Sequence, residues 1–501
     1  MIEINNISKS FLDKLLFKNL NLTIYDGEKI GIVGENGTGK STLLNLIAKN
    51  LEVDSGHIHL TSKISYVSQI TNNVTNQLRE IIRNNLQNPT FLKLFSDFNL
   101  NTQILSCDNF DNLSGGEITK IFIINSLISD CDTILLDEPT NNLDQKSIEI
   151  LIEKLDNFKG TIVTVSHDRY FLNNVVNKII ELENGHVNEY YGNYDDYARQ
   201  KQEKLISQKK IYDNQEKLET KLNKQINEIK QKAQKLEKNN HRDGSSDRRC
   251  KGFKGGMSNK IAKLSNAAKN KINRLNQLKE DFIDRPYESG EIYYKINECD
   301  YTPKLLLKIE NLNKSFGNNV IFNNANFIVE GGQKIALLGD NASGKTTLFK
   351  ILLGQESFEG TLYKSPALKI AYLSQNILDL KSDKTVMEFA SQFDSFYKTK
   401  FLTNLANMNM TKQTFNRKIS TLSQGERLKI KLNEIILSDY NLLILDEPTN
   451  HLDILNKIFL EDVLKNYQGT IILVSHDKTF CNNVCNKFLK IENKTIILQN
   501  K

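Results

Sequence analysis

The sequence predicts two similar α/β domains, each with a mostly parallel sheet, joined by a basic antiparallel helical hairpin. Two observations lead to this fold class. One set of glycine-rich and acidic motifs occurs twice in the 501-residue chain, about 305 residues apart. Between the copies, apolar residues recur at three-, four- or seven-residue steps, which is the spacing of packed helices. Each half has roughly 200 residues, enough for a core of its own.

Matched apolar runs predict the central strands of both halves. The runs are continuous, as expected for strands buried on both faces of a parallel sheet. In each half, one run leads into a glycine-rich loop and a helix, one ends in an acid, and one ends in Ser-His. The runs are Lys29–Val33, Thr133–Leu136 and Thr161–Val165 in the first half, and Lys334–Leu338, Leu442–Leu445 and Thr470–Val474 in the second.

The glycine-rich loops predict two ATP sites. A loop between a strand and a helix lets backbone N–H groups approach phosphates, and its lysine can reach the β and γ phosphates. The hydroxyls of Ser41 and Thr346 are offered to Mg²⁺. The predicted ATP-binding residues are Gly34, Glu35, Asn36, Gly37, Thr38, Gly39, Lys40, Ser41 and Thr42, with Gly339, Asp340, Asn341, Ala342, Ser343, Gly344, Lys345, Thr346 and Thr347.

Acids, histidines and glutamines at the ends of the strands predict the hydrolytic chemistry. Asp137 and Asp446 can hold a Mg²⁺ shell, and the glutamate after each can orient or deprotonate the attacking water. The predicted catalytic residues are Glu138, Glu447, His167 and His476, and the further metal-site residues are Gln69, Gln375, Asp137 and Asp446. A lone residue of these types is usually an ordinary surface or core residue. Here the Asp-to-His spacing is 30 residues in both halves.

Together these motifs resemble the P-loop nucleotide domain of an ATP-binding-cassette protein, present twice. Leu113–Glu117 reads Leu-Ser-Gly-Gly-Glu and Leu422–Glu426 reads Leu-Ser-Gln-Gly-Glu, a signature that separates this family from other P-loop proteins. The resemblance implies a head-to-tail sandwich holding two ATPs, in which the loop of each half works with the signature of the other. The signature residues it assigns to ATP are Ser114, Gly115, Gly116 and Glu117, with Ser423, Gln424, Gly425 and Glu426.

The resemblance also implies an aromatic ring that stacks on adenine. Phe11 and Phe316, each 23 residues before the first glycine of its loop, have that position. An ordinary core role for both remains open.

Composition excludes several classes of protein. No stretch approaches the ~20 apolar residues that a membrane helix needs. The chain starts Met1-Ile2-Glu3-Ile4 without a signal segment, and its six cysteines are scattered without the spacing of a zinc or iron–sulfur site. We therefore expect a cytoplasmic protein with no membrane domain of its own.

Twin cassettes without membrane helices resemble the ABC-F family, of which Glu-Pro-Thr-Asn-His-Leu-Asp at Glu447–Asp453 is characteristic. The predicted domains are cassette 1 (1–197), a helical-hairpin linker (198–285), a tether (286–303) and cassette 2 (304–501). The resemblance implies a linker that enters the ribosome's exit site, with the 70S ribosome, P-site tRNA and 23S rRNA as partners. It also implies a monomer whose two cassettes pair internally.

The charge of the linker fits such a partner. Residues 199–285 hold 24 Lys and Arg against 11 Asp and Glu, a net charge of +13 in a chain whose total is +6. Helices are expected at about 199–238 and 261–282, with a glycine-rich tip at 239–256 that breaks them. The predicted RNA contacts are Arg242, Arg248, Arg249, Lys251, Phe253 and Lys254. The alternative is a solvated charged spacer.

Two departures from the family pattern refine the prediction. Asn142 stands where the second copy has His451, so the two sites need not turn over equally. Short spacings from Gln69 to Ser114 and from Gln375 to Ser423 leave no room for the extra arm of housekeeping translation factors, and no basic extension follows cassette 2. An arm-less chain with a substantial linker resembles the antibiotic-resistance branch. A translation factor that relieves stalled ribosomes is the main alternative; a transporter ATPase and a DNA-repair ATPase fit less well.

Overall fold

The structure is a computed structural model. It describes residues 1–11, 14–68, 75–106, 110, 113–141, 143–183, 185–242, 249–280, 282, 292–295, 304–317, 319–339, 343–374, 382–408, 410–450 and 452–499, with backbone alone at 14, 237–242, 249–258, 280 and 499. The chain divides into two compact units, one formed by residues 1–197 and 289–501 and the other by residues 198–288.

The first unit contains two six-stranded sheets of identical topology. The strands of the first are β3 (Lys29–Val33), β5 (Ile64–Val67), β6 (Thr133–Asp137), β7 (Thr161–Val165), β8 (Lys178–Glu183) and β9 (His186–Tyr191). Those of the second are β12 (Lys334–Leu338), β14 (Ile370–Leu373), β15 (Leu442–Asp446), β16 (Thr470–Val474), β17 (Lys487–Glu492) and β18 (Thr495–Gln499). The spatial orders are β5-β6-β7-β3-β8-β9 and β14-β15-β16-β12-β17-β18. All neighbours are parallel except the last pair of each sheet.

A three-stranded antiparallel sheet accompanies each large sheet. The first consists of β1 (Ile2–Phe11), β2 (Lys14–Ile24) and β4 (Ser55–Leu60), and the second of β10 (Leu305–Phe316), β11 (Asn319–Glu330) and β13 (Glu359–Lys364). Alternate residues of these strands are buried, as in Ile2, Ile4 and Ile7 of β1. Their apolar faces share a core with the first helix after each glycine-rich loop and with one face of the large sheet.

Helices cover the large sheets. In the first half they are α1 (Lys40–Ile47), α2 (Thr75–Asn85), α3 (Pro89–Asp97), α4 (Gly115–Ile128), α5 (Gln145–Asn157) and α6 (Arg169–Val175). In the second half they are α9 (Lys345–Leu353), α10 (Val386–Ala390), α11 (Ser395–Asn407), α12 (Lys412–Phe415), α13 (Gln424–Ile436), α14 (Ile454–Asn466) and α15 (Lys478–Val484). Among the helices described, none is long and apolar enough to cross a membrane.

Strand order places the predicted functional segments at one edge of each sheet. Val165 at the end of β7 pairs with Ile32 of β3 on one side and with Asp137 of β6 on the other. Because these strands are parallel, the glycine-rich loop, the acid pair and the histidine all follow adjacent carboxyl ends. In the second half, Asp446 pairs with Val474 in the same way. The predicted α/β fold class, with its three matched strands in each half, is confirmed.

The second unit consists of two antiparallel helices. Helix α7 (Tyr194–Arg242, 49 residues) extends about 74 Å at 1.5 Å per residue, and α8 (Arg249–Glu280, 32 residues) returns beside it. Buried Leu222 and Ile226 of α7 pack with Leu275 of α8, and Lys279 forms a 2.7 Å ion pair with Glu219. Residues that come later in α7 contact residues that come earlier in α8, so the two helices form an antiparallel hairpin.

The predicted tip of the hairpin is wrong in extent. The glycine-rich stretch that was expected to break the helices from 239 to 256 is helical at both ends, since α7 continues to Arg242 and α8 begins at Arg249. A glycine costs about 1 kcal/mol against alanine in a helix, but propagation is favourable once a long helix has formed. The glycines at the start of α8 are therefore tolerated, because the helix continues from Gly256 to Glu280. Arg248 and the remaining residues 243–247 lie outside the described residues.

A short part of the predicted tether is packed against the second cassette. Tyr294 is 7% exposed within the core, and its hydroxyl donates to the Val463 carbonyl (3.2 Å). Asn404 accepts from the backbone N–H of Tyr293 (2.9 Å) and donates back to its carbonyl (3.0 Å). Lys295 forms a 2.9 Å ion pair with Asp439. At 292–295, the chain is therefore an integral part of the cassette surface.

Candidate active sites

The glycine-rich loops form lysine-centred cradles. Lys40 begins α1, and its Nζ donates to the carbonyls of Gly34 (2.8 Å) and Glu35 (2.9 Å), while Nζ of Lys345 donates to the Gly339 carbonyl (2.8 Å). Gly39 precedes the helix at φ 98°, and a Cβ there would lie 2.7 Å from the Phe17 ring. Only glycine fits this turn without strain. Asp340, Asn341 and Ala342 of the second loop lie outside the described residues.

A hydroxyl and a carboxylate meet below each loop. Ser41 donates to Asp137 (3.1 Å) and Thr346 donates to Asp446 (3.3 Å). Burial raises the pKa of both aspartic acids above the usual range. Among the residues described, no group of three or more His, Cys, Asp or Glu gathers at one point. Two oxygen donors fit Mg²⁺, which keeps several waters and takes its other ligands from phosphates. Gln69 and Gln375 lie outside the described residues.

Each predicted catalytic glutamate has a strained backbone. Glu138 has φ 51° and Glu447 has φ 50°, in the left-handed region that is rare for such residues. Their N–H groups donate to the carbonyls of Val165 (2.8 Å) and Val474 (2.9 Å), the last residues of the neighbouring strands. Strain of about 1–3 kcal/mol persists where the surroundings fix the conformation, often at functional sites. Here the left-handed backbone conformation places each glutamate carboxylate beside the histidine of the same half.

The glutamate and histidine of each half form the same pair. The backbone N–H of His167 donates to Oε2 of Glu138 (3.2 Å), and the imidazole Nε2 of His167 lies 3.3 Å from Oε1 of Glu138. The corresponding distances at His476 and Glu447 are 3.3 Å and 3.3 Å. Within the described structure, Oε1 of each glutamate is buried without a hydrogen bond, so it has capacity for another donor such as water.

Burial sets the protonation of these groups. It raises the pKa of Glu138 to about 7, against the opposing charge of Lys457, and it raises the pKa of Glu447 as well. Burial, with Lys40 and Lys457 adding to it, holds the pKa of His167 well below its usual range. His167 is therefore neutral near pH 7, and Glu138 titrates there.

The signature motifs cap helices. Ser114 is the N-cap of α4: its hydroxyl accepts from the Glu117 N–H (3.3 Å), while Glu117 accepts from the Ser114 N–H (2.9 Å). Ser423 and Glu426 form the same capping box on α13. Each box fixes a helix N-terminus whose N–H groups can face an anion.

Hydrogen bonds across the interface join each site to the other cassette. The backbone N–H of Asn36 in the first loop donates to Asp453 (3.3 Å). Asp453 also caps α14. Lys457 of α14 donates to the His167 carbonyl (2.9 Å). The Gln145 amide, oriented from its hydrogen-bond network, donates to the His476 carbonyl (3.2 Å). Each cassette thus places the helix after its acid motif against the other's site, as a head-to-tail sandwich requires.

Two ion pairs also cross the interface. Arg169 of α6 pairs with Glu461 of α14, with side chains 8% and 4% exposed. The equivalent residue in the second cassette, Lys478, pairs with Glu149 at 2.6 Å, with side chains 45% and 48% exposed. Sequence reasoning missed these residues because nothing in one half indicates which residues face the other.

A cavity of about 660 Å³ lies between the cassettes. It is lined from the first cassette by Lys40, Glu138 and His167, with Ser114, Gly115 and Gly116 of its signature, and from the second by Gln424, Glu447 and His476. A second cavity of about 370 Å³ is lined by Ser343, Val320 and Ile321 of the second cassette and Lys146 of the first. The first loop, both glutamates and both histidines therefore line one cavity, and Ser343 of the second loop lines the other. Ser423 and Gly425 are not among the lining residues.

The predicted adenine-stacking rings lie at equivalent strand ends. Phe11 ends β1 and Phe316 ends β10, and they are 45% and 49% exposed. Lys9 Nζ lies 5.5 Å from the centre of the Phe11 ring, and Lys314 Nζ lies 4.6 Å from that of Phe316. Exposed faces leave both rings open for stacking. Of the predicted RNA contacts, Arg242, Arg249, Lys251, Phe253 and Lys254 lie in described helical backbone, and their side chains lie outside the description.

Comparisons with known proteins identify the family. The ABC transporter family model matches residues 17–141 and 322–450, and a second ABC transporter model matches residues 180–248. The chain is 35% identical to the ribosome protection protein VmlR of Bacillus subtilis (strain 168) over 99% of this chain and 87% of that protein. It is 31% identical to the ATP-binding protein Uup of Buchnera aphidicola (Schizaphis graminum) over 97% and 80%.

Solved structures agree on the fold. The RNase-L inhibitor structure aligns with a TM-score of 0.63 at 18% identity, covering 98% of this chain and 90% of that one. Both cassettes match the family model with their phosphate loops and acid motifs included. The chain therefore belongs to the ABC-F family, the twin-cassette ATPases among the ATP-binding-cassette proteins.

Proposed function

We propose that this ATPase binds the 70S ribosome with ATP between its cassettes, inserts the basic linker near P-site tRNA and the peptidyl-transferase centre of 23S rRNA, and so protects ribosomes from antibiotics. The observation that carries this proposal is similarity along 99% of the chain, linker included, to a protein named for ribosome protection. The linker's net charge of +13 supports a polyanionic partner. A cytoplasmic monomer, with cassettes at 1–197 and 304–501 joined through a linker (198–285) and a tether (286–303), is part of the proposal.

The geometry of the sites supports the proposed hydrolytic roles. Lys40 and Lys345 bind the β and γ phosphates, and the signature helices of the opposite cassettes add their N-termini. Oε1 of Glu138 and of Glu447 holds the attacking water and accepts its proton, since that atom is buried without another donor within the described structure. The neutral His167 contacts the γ-phosphate beside it, and His476 has the same role in the second site.

Ser41 with Asp137, and Thr346 with Asp446, would hold Mg²⁺. When bound, the ion would neutralise charge that develops on the phosphate oxygens. Each hydroxyl–carboxylate pair is already brought together by a hydrogen bond, so the sites need little rearrangement for an oxygen-seeking cation. Closure around ATP favours the ribosome-bound state, and hydrolysis reverses it. Differential affinity for the two states is sufficient for such a cycle.

Ribosome co-sedimentation tests the proposal. The Glu138→Gln, Glu447→Gln double variant should bind ATP and hydrolyse it slowly, so it should pellet with 70S particles in ATP and remain in the supernatant in ADP. The unmodified chain, which can hydrolyse and leave, is the matched control. A double variant that binds ATP and shows no enrichment on ribosomes would contradict the proposal.

Drug susceptibility separates the two functions within the family. Expression of the unmodified chain should raise the inhibitory concentration of drugs that act at the peptidyl-transferase centre, while Glu138→Gln, Glu447→Gln should not. The alternative, an ABC-F translation factor that relieves stalled ribosomes, predicts unchanged susceptibility and altered elongation. The spacings from Gln69 to Ser114 (45 residues) and from Gln375 to Ser423 (48 residues) leave no room for the arm of housekeeping translation factors, which favours protection.

A further inference from the structure

A buried lysine from the second cassette lies at the first active site. Lys457 is in the first turn of α14 and is 7% exposed. Its Nζ donates to the backbone carbonyl of His167 (2.9 Å) and pairs with Asp477 of its own cassette (3.3 Å). It lines the same cavity as Glu138. The side chain therefore contacts the histidine of the Glu–His pair in the opposite cassette.

The second active site has an apolar residue at the equivalent position. Lys457 is the fourth residue after the aspartate that caps α14, and the fourth residue after the equivalent cap, Asp144 of α5, is Ile148. Ile148 is 2% exposed and lines the cavity as well. The histidine carbonyl therefore accepts from a cation across the interface in the first site, and from the neutral Gln145 amide in the second.

We propose that Lys457 is a positioning residue for hydrolysis at the first site alone, supplied in trans by the second cassette. By holding the His167 carbonyl, it fixes the segment that carries the imidazole and the N–H group bonded to Glu138. This inference rests on the proposed role of Glu138 in hydrolysis, and it is independent of ribosome binding.

Trans contact makes hydrolysis at the first site conditional on closure. With the cassettes apart, His167 and Glu138 lose the Lys457 contact, so the first site is complete only when α14 is seated. In the second site, the His476 carbonyl is held across the interface by the neutral Gln145 amide, so closure brings no charged donor to that histidine. The proposal therefore makes the charged contact the difference between the two sites, a distinction encoded by Lys457 and Ile148.

Single-site variants test the assignment by steady-state ATP hydrolysis of the full chain. Glu447→Gln leaves the first site active and Glu138→Gln leaves the second. Lys457→Met should lower kcat about tenfold or more in the Glu447→Gln background, with KM for ATP changed less than about threefold. In the Glu138→Gln background, the change in kcat should stay under about twofold. Lys457→Arg should restore most of the first-site rate, because it keeps a charged donor.

A matched control removes a different cross-cassette lysine. Lys478→Met breaks the exposed pair with Glu149 and leaves the Lys457–His167 contact in place, so it should change first-site hydrolysis only by a small factor. Melting curves and ATP binding check that every variant is folded. Equal loss in both backgrounds after Lys457→Met, or full first-site activity, would overturn the assignment of Lys457 alone. Hydrolysis retained by Glu138→Gln, Glu447→Gln would overturn the roles of the glutamates and Lys457 together.

Discussion

The buried ion pair between Arg169 and Glu461 should control how tightly the cassettes pair. Both side chains are below 10% exposed, and they come from opposite cassettes. Removing one partner of a buried pair costs about 3–5 kcal/mol because the other charge is left unpaired. In Arg169→Met, Glu461 keeps a hydrogen bond from Asn483 (3.0 Å). The expected loss of pairing free energy is therefore at the lower end of this range, about 3 kcal/mol.

That energy predicts a measurable change in ATP affinity. A loss of about 3 kcal/mol lowers the equilibrium constant for cassette pairing roughly 140-fold, since 1.4 kcal/mol is a factor of ten. ATP that binds the paired state loses apparent affinity by up to the same factor. Equilibrium ATP binding to the Glu138→Gln, Glu447→Gln background, with and without Arg169→Met, measures the change without turnover.

The exposed ion pair of Lys478, which has the same position in the second cassette as Arg169 in the first, supplies the control. Lys478 and Glu149 are nearly half exposed, so Lys478→Met should change ATP affinity by about twofold or less. A double-mutant cycle with Glu461→Gln should give a coupling energy of about 1–3 kcal/mol for the buried pair. Equal effects of Arg169→Met and Lys478→Met, or a coupling near zero, would refute the reasoning from burial.

Three further predictions concern single residues. Because burial raises the pKa of Glu138 to about 7, the ionised base is lost as pH falls through that value. Hydrolysis by the Glu447→Gln variant should thus rise between about pH 6 and 8 and then level off; a flat profile contradicts a base role. Gly39→Ala should weaken ATP binding more than Gly332→Ala in an equilibrium binding measurement. Both glycines have positive φ, but only a Cβ at residue 39 would clash with a neighbour, the Phe17 ring at 2.7 Å. In urea unfolding, Tyr294→Ala should destabilise the second cassette by about 3–5 kcal/mol and Tyr294→Phe by about 1 kcal/mol.

The sequence was sufficient for the sheets and the loops because their signals are local. Continuous apolar runs fix β3, β6 and β7 and their repeats, and the motifs at their carboxyl ends follow from parallel topology. The left-handed conformation of Glu138 and Glu447 could not be predicted this way. Glutamate has no preference for that region, and the conformation results from hydrogen bonds to the neighbouring strand and histidine.

The tip and the tether show where composition misleads. Glycine-rich 252–256 indicated a break, yet α8 already includes it, because the cost of each glycine is small beside the length of the helix. Tyr294 looked like part of a connecting segment. Its burial depends on a pocket formed by residues more than 100 positions later, among them Asn404 and Val463, which no local pattern reveals.

Contacts between the cassettes explain why a near-perfect repeat need not give equal sites. Duplication preserved what each site takes from its own half: the loop lysine, the strained glutamate and the histidine, with matching distances of 3.3 Å between Nε2 and Oε1. Residues donated by the other half are free to differ, because each serves only one site. Lys457 against Ile148 and Glu461 against Ile152 are such differences, and all four lie on α5 and α14. Asymmetry between the ATP sites is therefore expected to follow these two helices, and exchanging Lys457 and Ile148 should reverse which site loses activity without the charged contact.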